Sequence, residues 1–124
     1  MKNILIVDDE RMFLMSLSES LIQSLQGFNV FTAENGEEAI NILGSRPVNL
    51  LITDLQMPGK NGFDLLRHVK DFFPDMPVIV MSAYVNGDMM KGLKSLGFSQ
   101  ILEKPIDFED LIGKIKAEIT KKGG

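Results

Sequence analysis

Short apolar runs alternate with helical repeats along the whole chain, and few folds accommodate that alternation. Ile4–Val7, Phe28–Ala33, Val48–Asp54, Pro77–Met81 and Ile101–Glu103 read as strands. Between and after them stand apolar stripes at helical spacing. The first is Leu14, Leu17, Leu21 and Leu25, and the second is Ala39, Ile40 and Leu43. Phe63, Leu66, Val69 and Phe73 make the third, and Met89, Met90, Leu93 and Leu96 the fourth. The last, Phe108, Leu111, Ile112, Ile115 and Ile119, is the clearest. Five strands in strict alternation with five helices imply an α/β fold with a parallel sheet covered by helices on both faces. Asn35 and Asp107 read as helix caps. Gly87 and Gly92 weaken the fourth helix, because each glycine costs roughly 1 kcal/mol relative to alanine.

At 124 residues the chain forms one domain, 1–124, large enough to bury a core without staples. Lys121-Lys122-Gly123-Gly124 reads as a flexible tail, or as the place where a longer chain was cut. The absence of cysteine excludes disulfides, thiolate metal sites and thiol redox chemistry. A net charge of −4 argues against direct nucleic-acid binding. Met1-Lys2-Asn3 leads into only four apolar residues before two aspartates, which is no signal peptide, and no apolar run is long enough to span a bilayer. A soluble, cytoplasmic domain is expected.

Four of the apolar runs end in a polar group. Asp8-Asp9 follows the first, Asp54 closes the third, Ser82-Ala83 follows the fourth and Lys104-Pro105 follows the fifth. In open parallel sheets the carboxyl ends of the strands are where sites are built. Asp8 or Asp9 could cap a helix, but the third helical position would then be Arg11 or Met12, so neither makes a capping box. Two adjacent carboxylates repel, and a cation relieves them. With Asp54 they form a hard-oxygen set suited to Mg²⁺ or Mn²⁺. Beside such an ion Asp54 is a candidate nucleophile, because carboxylates form aspartyl-phosphates in covalent catalysis. Ser82 offers a hydroxyl, and Lys104 a positive charge, to phosphoryl oxygens. Alone, Ser82 is an ordinary turn serine and Lys104 an ordinary surface lysine; the constellation is far more specific than its parts.

These pieces, Asp8-Asp9, Asp54-x-x-Met57-Pro58-x-x-x-Gly62, Ser82-Ala83 and Lys104-Pro105, closely resemble the receiver domain of two-component response regulators, the single-domain chemotaxis regulator among them. The resemblance covers residues 2–121. It implies a flavodoxin-like, doubly wound five-stranded sheet in the order 2-1-3-4-5, with Asp54 as phosphoacceptor. It further implies Mg²⁺ held by Asp9, Asp54 and the backbone carbonyl of Gln56, with Asp8 reaching the ion through water. Ser82 and Ala83 would form the switch segment, Lys104 would contact the phosphate, and the Lys104-Pro105 bond would be cis. Pro58, Gly62 and Pro105 would be structural. The donor would be a sensor histidine kinase or phosphotransfer protein. The output would be a downstream protein bound on the face of the fourth helix, fifth strand and last helix, with homodimerisation left open.

The chain departs from that family in places. Many receivers carry Tyr or Phe where Ile101 stands, and a β-branched aliphatic cannot reproduce a phenol's hydrogen bond or rotation. The usual Gly-Ala is Gly97-Phe98, which with Met89 and Met90 suggests an apolar output surface, unless these side chains are core. Gln56 and Tyr84 would tune phosphate lifetime, Tyr84 by shielding. His68, the only histidine, reads as solvated. A haloacid-dehalogenase-like phosphatase would need a second aspartate where Gln56 stands. A pseudo-receiver interaction module usually lacks one of the acids or the lysine, and here none is lost. Nucleotide binding fails for want of a phosphate loop before Gly59-Lys60.

Overall fold

Period-two alternation sends Leu5, Val7, Leu51, Val78 and Val80 to one face of the sheet, and Ile4, Ile6, Leu50, Ile52, Ile79 and Met81 to the other. Both sets are buried, so the central strands need cover on both sides. The structure, a computed structural model, describes residues 2–56 and 62–123. In chain order the elements are β1 (Lys2–Val7), α1 (Arg11–Ser24), β2 (Phe28–Ala33), α2 (Gly36–Ser45) and β3 (Leu50–Asp54). They continue with α3 (Gly62–Phe72), β4 (Val78–Ser82), α4 (Gly87–Ser95), β5 (Ile101–Glu103) and α5 (Phe108–Gly123). Every strand pair is parallel, in the order β2-β1-β3-β4-β5. Helices α2, α3 and α4 cover the first face through Ala39, Leu43, Leu65, Leu66, Val69 and Leu93. Helices α1 and α5 cover the second through Leu14, Leu17, Leu21, Leu111 and Ile115.

Helix starts follow local chemistry. Asn35, Asn86 and Asp107 each accept the backbone N–H three residues on, from Glu38, Met89 and Asp110, at 2.8, 2.9 and 3.1 Å. Helix α1 differs. Its cap residue is Glu10, which makes no side-chain capping bond. Helix α5 runs to Gly123. Two findings differ from the sequence reading. His68 is half-buried, with its ring 4.7 Å from that of Phe72, because helical spacing sets the two side chains together. Gly92, unfavourable by helix propensity, admits the Phe63 ring: a Cβ there would lie 3.3 Å from it.

The sheet positions the site. The chain leaves β1 for β2 on one side and returns to β3 on the other, which makes the crevice at their carboxyl ends the topological switch point. Pairing continues one residue past the strands: Asp8 N donates to Ala33 O at 3.1 Å, Leu55 N to Met81 O at 3.0 Å and Lys104 N to Ser82 O at 2.7 Å.

Gly62 anchors the far end of the segment after Asp54. Its N–H donates to Leu55 O at 3.1 Å, and a Cβ would stand 2.5 Å from that oxygen and 2.6 Å from Leu55 Cα. Only glycine fits against the backbone there. Gly62→Ala is expected to cost about 2–3 kcal/mol in urea unfolding, with the slope unchanged. A loss below about 0.5 kcal/mol, the range of an innocuous surface change, would show that the approach is not required.

Candidate functional site

Three strand ends, those of β1, β3 and β5, meet at one ammonium group. Lys104 Nζ donates to Asp8 Oδ2 at 2.8 Å and to Asp54 Oδ2 at 3.0 Å, and Glu10 Oε1 stands at 3.7 Å. The Lys104 side chain is 14% exposed, while Asp8 and Asp54 are buried. The second oxygen of each buried aspartate is held by the backbone: Asp8 Oδ1 accepts the Glu10 N–H at 2.8 Å, and Asp54 Oδ1 accepts the Gln56 N–H at 3.0 Å. Both carboxylates are therefore oriented before any ligand arrives. The Asp8 bond to Glu10 also shows where the first acidic residue goes when it does not cap α1. The face of the Phe13 ring lies 4.5 Å from Lys104 Nζ.

The exposed Asp9 completes an acidic cluster. One carboxylate oxygen from each of Asp8, Asp9 and Asp54 lies within 4.8 Å of the others, and among the described residues this is the one such group of three. Its donors are all hard oxygens, which fits Mg²⁺ or Mn²⁺ and not a thiolate- or imidazole-seeking metal. Burial pushes the Asp54 carboxyl above the usual carboxylate range. The Gln56 N–H and Lys104 pull it back, and the charge of Asp8 pushes the same way as burial. For Lys104, burial lowers the ammonium, but hydrogen bonds to Asp8 and Asp54 and their charges outweigh it and leave it raised. The lysine stays charged at neutral pH while its partner Asp54 carries an electrostatic load.

The segment after β4 is closed on itself. Ser82 Oγ donates to Tyr84 O at 2.6 Å and accepts the Tyr84 N–H at 3.1 Å, so the hydroxyl is engaged within its own turn. Ala83 N donates to Gln56 Oε1 at 3.2 Å. Gln56 thus bonds Asp54 with its backbone and the segment after β4 with its side chain. Tyr84 is 74% exposed, and its backbone makes both bonds to Ser82. Ile101 is half-buried and packs on the core with Met89 and Phe98, while Met90 is exposed. Pro105 follows a cis bond to Lys104, and Pro58 lies outside the described residues. Sequence reasoning missed Phe13 and Glu10. Phe13 stands four residues before Leu17, so its spacing reads as core and carries no signal of a charged neighbour.

A family model described as "Response regulator receiver domain" matches residues 4–116. Sporulation initiation phosphotransferase F of Bacillus subtilis is 31% identical over 98% of this chain and 96% of its own length. The transcriptional regulatory protein CpxR of Escherichia coli is 38% identical over 98% of this chain, which spans only 50% of CpxR. Among solved structures, a response regulator receiver domain protein from Clostridium thermocellum superposes with a TM-score of 0.89 at 30% identity, covering 99% of this chain and 98% of that one. No helix among the described residues is long and apolar enough to cross a membrane.

The direction of the Asp54 shift sets a pH dependence. An acid titrating above its unfolded value costs nothing when protonated in both states; the cost grows as pH climbs from the unfolded value and levels off once pH passes the raised one. Asp54→Asn is therefore expected to raise the Tm of the metal-free protein at pH 7, and to lose that advantage near pH 4. Mg²⁺ should raise the wild-type Tm more at pH 8 than at pH 5, and the Asn variant much less. A destabilised Asn variant at neutral pH in a thermal-melt series would overturn this electrostatic account.

Proposed function

The chain belongs to the response regulator receiver domain family of two-component systems, and on that premise we propose a phosphorylation-driven signalling switch whose phosphoacceptor is Asp54. The observation that carries the reading is the single lysine ammonium, held between Asp8 and Asp54 beside a third carboxylate. An Asp54 carboxylate oxygen attacks the phosphorus of a phosphohistidine on a sensor histidine kinase or phosphotransfer protein. The new O–P bond forms as the P–N bond breaks, and the imidazole nitrogen leaves with the electron pair. Lys104 turns from the carboxylate toward the incoming phosphoryl oxygens and offsets their charge. Asp8, Asp9, Asp54 and the Gln56 carbonyl would hold Mg²⁺, with Mn²⁺ as a substitute. When bound, the ion supplies positive charge that screens the acids from the phosphoryl group.

The product adds nearly two negative charges at the sheet edge. Ser82 then exchanges Tyr84 O for a phosphoryl oxygen, and Ala83 N–H leaves Gln56 for the same group. The segment before α4 follows, as a population shift whose extent is limited by what the phosphate contacts. Receiver domains are signalling switches, and this chain has Gln56 where a turnover phosphatase of the dehalogenase type places its second aspartate. The proposed setting is the cytoplasm, with no membrane insertion and no direct nucleic-acid contact.

The output surface is the face of α4, β5 and α5. A cavity of about 350 Å³ there is lined by Met90, Lys91, Lys94, Phe98, Ser99 and Ile101. Phe98 and Met89 are half-buried against the core, so Met90 and the rim of Phe98 are what a partner, or a second copy of the chain, would meet. A second reading is favoured by the half-length match to CpxR: the chain would then be the receiver portion of a longer regulator. The near-full-length match to phosphotransferase F favours a stand-alone relay protein.

Acetyl phosphate with Mg²⁺ should add one phosphoryl group to the wild type by intact mass, and none to Asp54→Asn or to metal-free protein. Failure of the wild type, with beryllofluoride also failing to bind, would establish a pseudo-receiver. Tyr84→Ala is expected to shorten the lifetime of that adduct, and an unaltered lifetime would count against shielding. Phe98→Ala should weaken any phosphorylation-dependent self-association or partner binding about tenfold, and undiminished binding by sedimentation or titration would remove this face from the output.

A further inference from the structure

We propose that Phe13 is a positioning residue for Lys104: the face of its ring holds the ammonium beside Asp54 while the carboxylates around it change partners. The proposal rests on the phosphoacceptor reading of Asp54, and concerns a residue outside the acid cluster, the switch segment and the output face.

Among the described residues three acidic side chains and one aromatic ring meet the ammonium. Asp8 at 2.8 Å and Asp54 at 3.0 Å belong to the oxygen set that suits a divalent ion, and Asp54 is also the group that gains a phosphoryl. Both must give up part of their hold on Lys104 during the reaction. Glu10, at 3.7 Å with a side chain 69% exposed, is a screened and entropically costly partner. The Phe13 ring, at 4.5 Å, is well inside the roughly 6 Å range in which a cation is drawn to an aromatic face. It carries no charge, ligates no metal and accepts no phosphoryl, so its attraction is the one that persists through every exchange.

The ring is itself fixed. Phe13 lies in the first turn of α1, beside the buried Leu14 and one helical turn before the buried Leu17, and it packs half-buried on the α1–α5 side of the core. A helix that starts without a side-chain cap is thereby tied at its first turn to the site. The low exposure of Lys104 strengthens the contact, since cation–π attraction grows as the cation is desolvated.

The test is a double-mutant cycle on the full chain, with acetyl phosphate and Mg²⁺ and adduct formation followed by intact mass. Phe13→Leu keeps apolar bulk but removes the π face, and is expected to slow adduct formation about three- to tenfold. Phe13→Tyr should stay near the wild-type rate. In a Lys104→Ala background Phe13→Leu should make no further difference. Equal slowing in both backgrounds makes the ring a packing element only, and an unchanged rate in Phe13→Leu removes its role; either overturns the proposal. A second readout does not depend on phosphorylation. In the wild type the Lys104 CεH₂ protons should resonate upfield of ordinary lysines through the ring current, and Phe13→Leu should return them to the ordinary position. Ordinary wild-type shifts overturn the contact. An upfield signal in a wild type that takes no adduct refutes the phosphoacceptor reading, and with it the positioning role, while the contact stands.

Discussion

Everything at the carboxyl edge of this sheet depends on one ammonium group between two buried carboxylates. Lys104 reaches Asp8 from a strand two places removed from β3, and contacts Asp54 on the way. Without it, two like charges would be buried side by side, which a low-dielectric interior does not tolerate. The arrangement is nonetheless a poor source of stability. Burial holds Asp54 above the usual carboxylate range even with its lysine partner, so the folded protein bears a cost at this position. That cost makes the carboxylate receptive to a further source of positive charge and to a group that spreads its negative charge.

The fold supplies this geometry without special loops. β1 and β3 are adjacent because the chain reverses its winding between them, and the register carries Asp8, Asp54, Ser82 and Lys104 to neighbouring strand ends. Backbone N–H groups then aim the acids. The helix-start pattern shows how this competes with ordinary local chemistry. α2, α4 and α5 take side-chain caps, whereas at α1 the nearby carboxylates serve the site and the helix starts uncapped.

Much of this was legible in residue order alone, because both the strand runs and their polar ends are local patterns. Ile4–Val7 followed by two aspartates, or Pro77–Met81 followed by Ser82, can be read within a few residues. The rest depends on pairs of residues distant in sequence or on shape. Phe13 looks like core because its spacing from Leu17 is that of core, and its position over a cation 91 residues later has no sequence signature. His68 looks solvated because it falls on the polar side of α3, yet it packs on Phe72 one turn away. Gly92 looks like a weakness in α4 until the Phe63 ring is seen against it. Gln56 shows no pattern that would link its two ends to two different loops.

The closure of the segment after β4 has a quantitative consequence. Three hydrogen bonds hold it, two between Ser82 and Tyr84 and one from Ala83 to Gln56, and no described buried side-chain polar atom lacks a partner. At about 1 kcal/mol net for each bond, the opened form makes up on the order of 1% of the molecules before any stimulus. The segment is held closed by its own turn, and anything that opens it must first replace three satisfied bonds.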